Sequence, residues 1–192
     1  MEEVVHPTLI VGIGGSAGAL NAYKSILDAM PTNTGMAFVI ISHMNPAAHS
    51  QLAVILSRHT KMNVEVASQA MPVLANHVYV IPPDSDLFIK NFTFKVISPR
   101  SIGYKQIDVF FASLADAMGE RAIGIVLSGY DGDGTKGCEH IKANGGKTFA
   151  QDMSAEVEHM PLSAQDSGYI DFVIPLANIP SKLKSLAAAL KS

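Results

Sequence analysis

The sequence predicts an α/β domain in which helices cover both faces of a mainly parallel sheet, with one antiparallel hairpin. Two observations carry this. Short apolar runs rich in β-branched residues alternate with segments of helical periodicity along most of the chain, as in successive strand–helix–strand units. In the middle of the chain the rhythm breaks, and two runs alternate with period two around a Lys90-Asn91 turn with no room for a helix between them.

Taken in order, a strand over 8–13 runs into Gly14-Gly15-Ser16-Ala17-Gly18. Leu20, Tyr23, Leu27 and Met30 then form a helical stripe, closed by Pro31. A strand over 36–42 delivers His43, and Leu52, Ile55, Leu56 and His59 mark a second helix, followed by a short strand over 63–67. Strands are expected at 77–81, 87–89 and 92–97, the last two as the hairpin. Alternation resumes with a helix over 108–118, a strand over 122–128 leading into Gly129-Tyr130-Asp131-Gly132-Asp133-Gly134, and a helix ended by Gly145-Gly146. A strand over 147–150, a helix begun by Pro161 and ended near Gly168, a strand over 170–174 and a helix from Ser181 complete the chain.

Composition narrows the function classes. With 192 residues, 48% of them hydrophobic and only 16% charged, the chain can bury a full core, and disorder is excluded. No linker divides it, so a single domain over 1–192 is expected. A net charge of −3 gives no electrostatic reason to expect nucleic acid. No apolar run approaches the roughly 20 residues of a membrane span. The start, Met-Glu-Glu-Val-Val-His-Pro, lacks an export signal, so cytoplasmic is the default. The single cysteine, Cys138, cannot form an internal disulfide, and its place in a helix suits a buried structural thiol better than a nucleophile.

In an open parallel sheet, ligands bind beyond the carboxyl ends of the strands. Three such ends here present a serine, a histidine and a pair of aspartates. The glycine-rich turn reads in part as a dinucleotide fingerprint, but that requires an acidic residue closing the second strand, where Ser42-His43 stands instead. As Gly14-x-Ser16-x-Gly18 it suits a serine on a tight strand-to-helix bend, whose helix end favours a developing oxyanion. The plainer alternative is that Ser16 caps the first helix. His43 adds weight to the catalytic reading, because a serine hydroxyl needs an adjacent base and imidazole titrates near neutrality. Either Asp131 or Asp133 could orient that imidazole, and both could equally serve the turn. A calcium loop starting at Asp131 would have Lys136 and Lys142 where glycine and glutamate belong, and no cluster has zinc spacing.

Together these segments resemble the catalytic domain of the chemotaxis-type protein-glutamate methylesterases, the CheB family. The carrying stretches are Val11-Gly-Ile-Gly-Gly-Ser-Ala-Gly-Ala19, Ser42-His43-Met44, His77-Val-Tyr-Val-Ile-Pro-Pro83 and Leu127-Ser-Gly-Tyr-Asp-Gly-Asp-Gly134. They continue with Gly145-Gly-Lys-Thr-Phe-Ala-Gln-Asp152, His159-Met160-Pro161 and Asp171-Phe-Val-Ile-Pro-Leu176. The resemblance implies a Rossmann-like, doubly wound, three-layer α/β/α domain with a serine–histidine–aspartate triad. It assigns Ser16 as nucleophile, His43 as base and Asp133, rather than Asp131, as the acid, and it takes oxyanion donors from the turns holding Ala17 and Tyr130.

The implied activity is demethylation of glutamate γ-methyl esters on the cytoplasmic helices of chemoreceptors, without metal or organic cofactor; deamidation of receptor glutamines is also permitted. A receptor methyltransferase module is a further implied partner. Family members often carry a receiver domain ahead of this one, and the expectation here is a methylesterase-like domain without it. The rival class is a non-catalytic signalling module that binds receptor or methyltransferase. The sequence departs from the family pattern at Ala17, Ala19, Tyr130 and His159.

Overall fold

The computed structural model describes residues 3–43 and 46–192, and over 46–50 the backbone alone. Met44 of the Ser-His-Met stretch and the side chain of His49 therefore lie outside the described residues. The first half of the chain forms β1 (Leu9–Gly15), α1 (Ala19–Asp28), β2 (Met36–Ser42), α2 (Pro46–Ser57), β3 (Asn63–Val66), β4 (His77–Val80), β5 (Asp86–Lys90) and β6 (Thr93–Ile97). The second half forms α3 (Gln106–Met118), β7 (Ala122–Val126), α4 (Thr135–Ala143), β8 (Lys147–Gln151), α5 (His159–Asp166), β9 (Phe172–Ile174) and α6 (Ile179–Ala189).

Seven strands make one parallel sheet in the order β3-β4-β2-β1-β7-β8-β9. The chain winds outward from β1 in one direction through β2, then returns and winds outward in the other direction from β7. The switch point between β1 and β7 is where a doubly wound sheet opens its crevice. β1, β2 and β7 are buried on both faces, which is why they read as unbroken apolar runs.

Side chains of β1 alternate between two cores. Leu9, Val11 and Ile13 pack with α1, α2 and α6, through residues such as Tyr23, Ile26, Leu56 and Leu183. Ile10 faces the opposite layer, where α3, α4 and α5 supply Phe110, Phe111, Leu114, Cys138, Ile141 and Met160. Cys138 is fully buried there, as its helical position suggested. The hairpin β5–β6 is antiparallel, forms a separate two-stranded sheet, and buries Leu87, Ile89 and Phe94 in this second core.

The hairpin turn is displaced by one residue from the sequence expectation. Lys90 pairs with Thr93, leaving Asn91 and Phe92 as the two turn residues, with φ of 50° and 55°. A two-residue hairpin turn of the favoured kind requires positive φ at both positions. Asparagine adopts this readily; Phe92 does not, and its ring is held by stacking on His6 at 4.2 Å between centroids. Both late helices also begin two residues before the expected starts, at His159 and Ile179, because Pro161 and Pro180 sit inside their first turns. A first-turn N–H has no intrahelical acceptor, so proline costs little there.

Gly14 is required by packing. A Cβ there would lie 2.6 Å from Ile107 Cγ2, so glycine lets the start of α3 settle directly over the end of β1. Gly14→Ala is expected to cost about 1–3 kcal/mol, the usual range for overpacking a filled core. Combined with Ile107→Ala, which removes the γ and δ carbons the new methyl would meet, it should cost less than the two single changes added together. Urea unfolding of the four proteins checks this, and strict additivity would mean the two side chains do not compete for the same space.

Candidate active site

β1 and β2 deliver Ser16 and His43 to adjacent places. Gly15 is paired with Ser42, and the His43 N–H donates to the Gly15 carbonyl at 3.1 Å, so each residue follows a register pair. The Ser16 N–H donates across the switch point to the Ser128 carbonyl at 2.8 Å. From α1, the Tyr23 hydroxyl donates to Ser42 Oγ at 3.1 Å and ties the helix to the strand end that carries His43.

The Ser16 hydroxyl does not cap α1. The N-cap is Gly18, with φ of 76° and no side-chain cap hydrogen bond. A left-handed residue at that place suits glycine and frees the serine side chain from the helix. Ser128 stitches the surroundings: its Oγ donates to the Ala17 carbonyl at 2.6 Å and accepts from the Val157 N–H at 2.9 Å. Gly129 exchanges backbone bonds with the same segment, donating to the Val157 carbonyl and accepting from the Met160 N–H. Among the described residues no acceptor takes the N–H of Ala17 or of Tyr130, the two expected oxyanion donors.

Asp133 is held from two sides. Its Oδ1 accepts from the N–H groups of Asp108 and Gly134, both at 2.9 Å, and its Oδ2 from Ile107 N–H at 2.9 Å. Lys105, at the N-cap of α3, offers no capping oxygen, so a carboxylate from the loop after β7 does this work across space. Asp108 returns the favour, accepting from Gly134 and Gly137 N–H at 2.9 and 2.8 Å at the start of α4. Burial raises the Asp108 pKa, offset in part by the Gly137 N–H and reinforced by the nearby charge of Asp133.

His43 lies between two carboxylates. Its Nε2 is 2.6 Å from Asp133 Oδ2, and its Nδ1 is 3.0 Å from Asp131 Oδ2. The Asp133 side chain is 1% exposed and that of Asp131 46%. Asp131 does serve the turn, accepting from the Asp133 N–H at 3.0 Å, but the turn is not its only role. The sequence offered the two aspartates as rivals for one contact, and the structure gives each its own ring nitrogen. Carboxylates accept at both nitrogens only when both carry hydrogen, so this arrangement belongs to the imidazolium. Burial by itself would lower the His43 pKa; the hydrogen bond and charge of Asp133, with the charge and hydrogen bond of Asp131, outweigh it and raise the pKa above 6.5.

Beyond the carboxylates opens a cavity of ≈ 430 Å³ lined by Tyr104, Lys105, Asp131, Thr135, Lys136 and Ser163, among others. Sequence reasoning missed this wall. It is shaped by Asp86, fully buried, which accepts from the Ser101 N–H and hydroxyl at 2.8 and 3.0 Å and so holds the loop that leads into α3. Among the described residues no group of three or more His, Cys, Asp and Glu could hold a metal ion.

The CheB methylesterase family model matches residues 11–183. The chain belongs to the CheB methylesterase family. The crystal structure of the Thermotoga maritima CheB methylesterase catalytic domain superposes with a TM-score of 0.85 at 30% identity, covering 93% of this chain and 98% of that one. A Hydrogenovibrio crunogenus protein named protein-glutamate methylesterase/protein-glutamine glutaminase is 30% identical over 92% of this chain, which spans 49% of that relative's length. A Leptospira interrogans relative, whose name is a provisional form of the same one, is 33% identical over 87% of this chain and 89% of its own. Family membership makes the chain a hydrolase of the methylesterase type.

Of the departures from the family pattern, Ala19 is buried against the Gly15 end of β1, and Ala17 accepts the Ser128 hydroxyl through its carbonyl. His159 is exposed at the start of α5, so its bulk stays in solvent rather than pressing on the site. Tyr130 is 70% exposed.

The raised pKa of His43 fixes the sign of a pH dependence. The stabilisation that charged His43 draws from its two carboxylates is complete below the unfolded pKa of about 6.5, and is lost as pH rises through the higher folded value. Urea unfolding from roughly pH 5 to 9 should therefore show a stability component that declines upward across this window and disappears in His43→Gln. An unchanged profile in the variant would show that the ring is not the titrating group.

Proposed function

We propose that this chain hydrolyses glutamate γ-methyl esters on the cytoplasmic helices of chemoreceptors, with Ser16 as nucleophile, His43 as base and Asp133 as the group that orients the ring. The observation that carries the reading is the placement of His43, anchored at Nε2 by a buried aspartate, one register step from a serine whose hydroxyl is not spent on capping.

With Nε2–H committed to Asp133, the nitrogen left to act as base is Nδ1. It takes the Ser16 proton as Oγ attacks the ester carbonyl, and the resulting imidazolium gives that proton to departing methoxide, releasing methanol. Water, deprotonated by the same nitrogen, attacks the acyl-serine; the serine leaves with the returned proton, and free glutamate is the product. Charge developing on the carbonyl oxygen would be met by the N–H groups of Ala17 and Tyr130. A primary amide follows the same path with ammonia leaving, which is the glutaminase reaction that the relatives' names carry. No step calls for a metal or organic cofactor.

An exposed aromatic side chain beside the site residues suits a protein substrate: Tyr130, next to Asp131 in the turn after β7, is 70% exposed.

The decisive experiment is methanol release from methylated receptor. Ser16→Ala should lower kcat by several orders of magnitude while the far-UV and near-UV circular dichroism stay unchanged. Retention of more than about a tenth of wild-type turnover would remove Ser16 from the mechanism. Asp133→Asn is a poorer probe, because its amide would point N–H groups at backbone donors of α3 or at His43 and disturb the fold as well as the ring.

A further inference from the structure

We propose that Asp131 is a positioning residue that holds the second ring nitrogen of His43 in the resting protein, and that its contact must open before Ser16 can be activated. The inference rests on the reading of His43 as the base. Both ring nitrogens face carboxylate oxygens, Asp133 at 2.6 Å and Asp131 at 3.0 Å. A ring donating at both positions has no lone pair to accept a proton from serine. Losing one proton turns one of the two contacts into a nitrogen lone pair facing a carboxylate, which is repulsive, so deprotonation and the opening of a contact go together.

The two carboxylates differ in how firmly they are held. Asp133 is 1% exposed and accepts three backbone N–H bonds, two of them from the start of α3. Moving it would uncap that helix. Asp131 is 46% exposed and has one further tie, from the Asp133 N–H. Water can take over the contact from the Asp131 side, which is half-exposed, whereas Asp133 is closed to it. The contact that opens is therefore Asp131 to Nδ1, and what emerges is the neutral ring with Nε2–H still donating to Asp133, the form the mechanism needs.

Asp131 thus stabilises the inactive imidazolium and sets the lower pH limit of activity. The charged groups around the ring are few. The loop after β7 contributes Asp131 and Asp133, and the start of α3 contributes Asp108, whose carboxylate is turned to Gly134 and Gly137. Lys105 and Lys136 line the cavity beyond Asp131, and Glu156, in the segment before α5, lies over Gly18. The turn after β1 adds no titratable side chain between Ser16 and Gly18.

The test is the pH dependence of kcat/KM for Asp131→Ala and Asp131→Asn, paired with nitrogen NMR of the His43 ring in the full chain. Removing the charge should move the acid limb of kcat/KM, and the ring titration, about one unit toward lower pH. On the acid side of the limb this is up to about a tenfold gain in kcat/KM. Loss of activity at every pH with both titrations unmoved would make Asp131 a turn residue only and overturn the proposal. The ring titration needs no turnover. A protein with no esterase activity whose ring pKa nevertheless falls in Asp131→Ala would sink the esterase reading and leave the Asp131 contact standing.

Discussion

Three backbone N–H groups hold the carboxylate of Asp133 before any reactive group meets it. Two belong to Ile107 and Asp108 at the start of α3, and the third to Gly134 at the start of α4. Helix starts carry unsatisfied donors and partial positive charge, so a carboxylate placed there is stabilised and ordered at once. Asp108 completes the exchange by capping α4 from α3. The two helices are thereby locked together at one end, and Asp133 Oδ2 keeps one direction free toward His43. The orientation of the His43 ring depends on this lock, because the carboxylate that meets Nε2 is the one the two helix starts hold in place.

The lock has a steric precondition in the sheet. Ile107, which donates to Asp133, also occupies the space that a side chain on Gly14 would need. One glycine in the motif thus lets α3 come close enough for its N–H groups to reach the acid, and another, Gly18, turns the chain so that Ser16 is left outside α1. The glycine-rich turn is therefore explained by helix approach and backbone direction, with no phosphate needed to account for it. Removing one partner of a buried ion pair usually costs about 3–5 kcal/mol. Such a loss would fall on Asp133, 1% exposed and held by three backbone N–H groups, rather than on the half-exposed Asp131.

Much of this was legible in the sequence. The strands at 9–15, 36–42 and 122–126 are buried on both faces and announce themselves as apolar runs, and the residues following them were readable as Ser16, His43 and the two aspartates. Ser16 and His43 are neighbours because β1 pairs with β2, as first and second strands commonly do in doubly wound sheets. What did not show was anything set by contacts distant in sequence. The Asp133 caps on α3 span 25 and 26 residues, and the Asp86 bonds that shape the cavity wall span 15. Periodicity carries no information about such pairs. The displaced hairpin turn has the same origin: local propensity places Phe92 in the strand, and the ring of His6 holds it in the turn.

The chain order of the site residues follows from topology rather than chemistry. β1 and β2 are consecutive and adjacent, so the first two loops above the sheet place a serine and then a histidine side by side. The chain then leaves through β3 and β4 and comes back only at β7, on the other side of β1. A third group able to face both must come from this returning strand, because the loops after β3 and β4 lie outside β2, on the far side from Ser16. The order serine, histidine, aspartate is thus what a sheet wound outward from β1 imposes. In hydrolases of other folds the same three residue types appear in other orders. Here Asp133 arrives on the loop after β7, on the other side of β1 from His43, touches His43 across the switch point, and caps the start of α3.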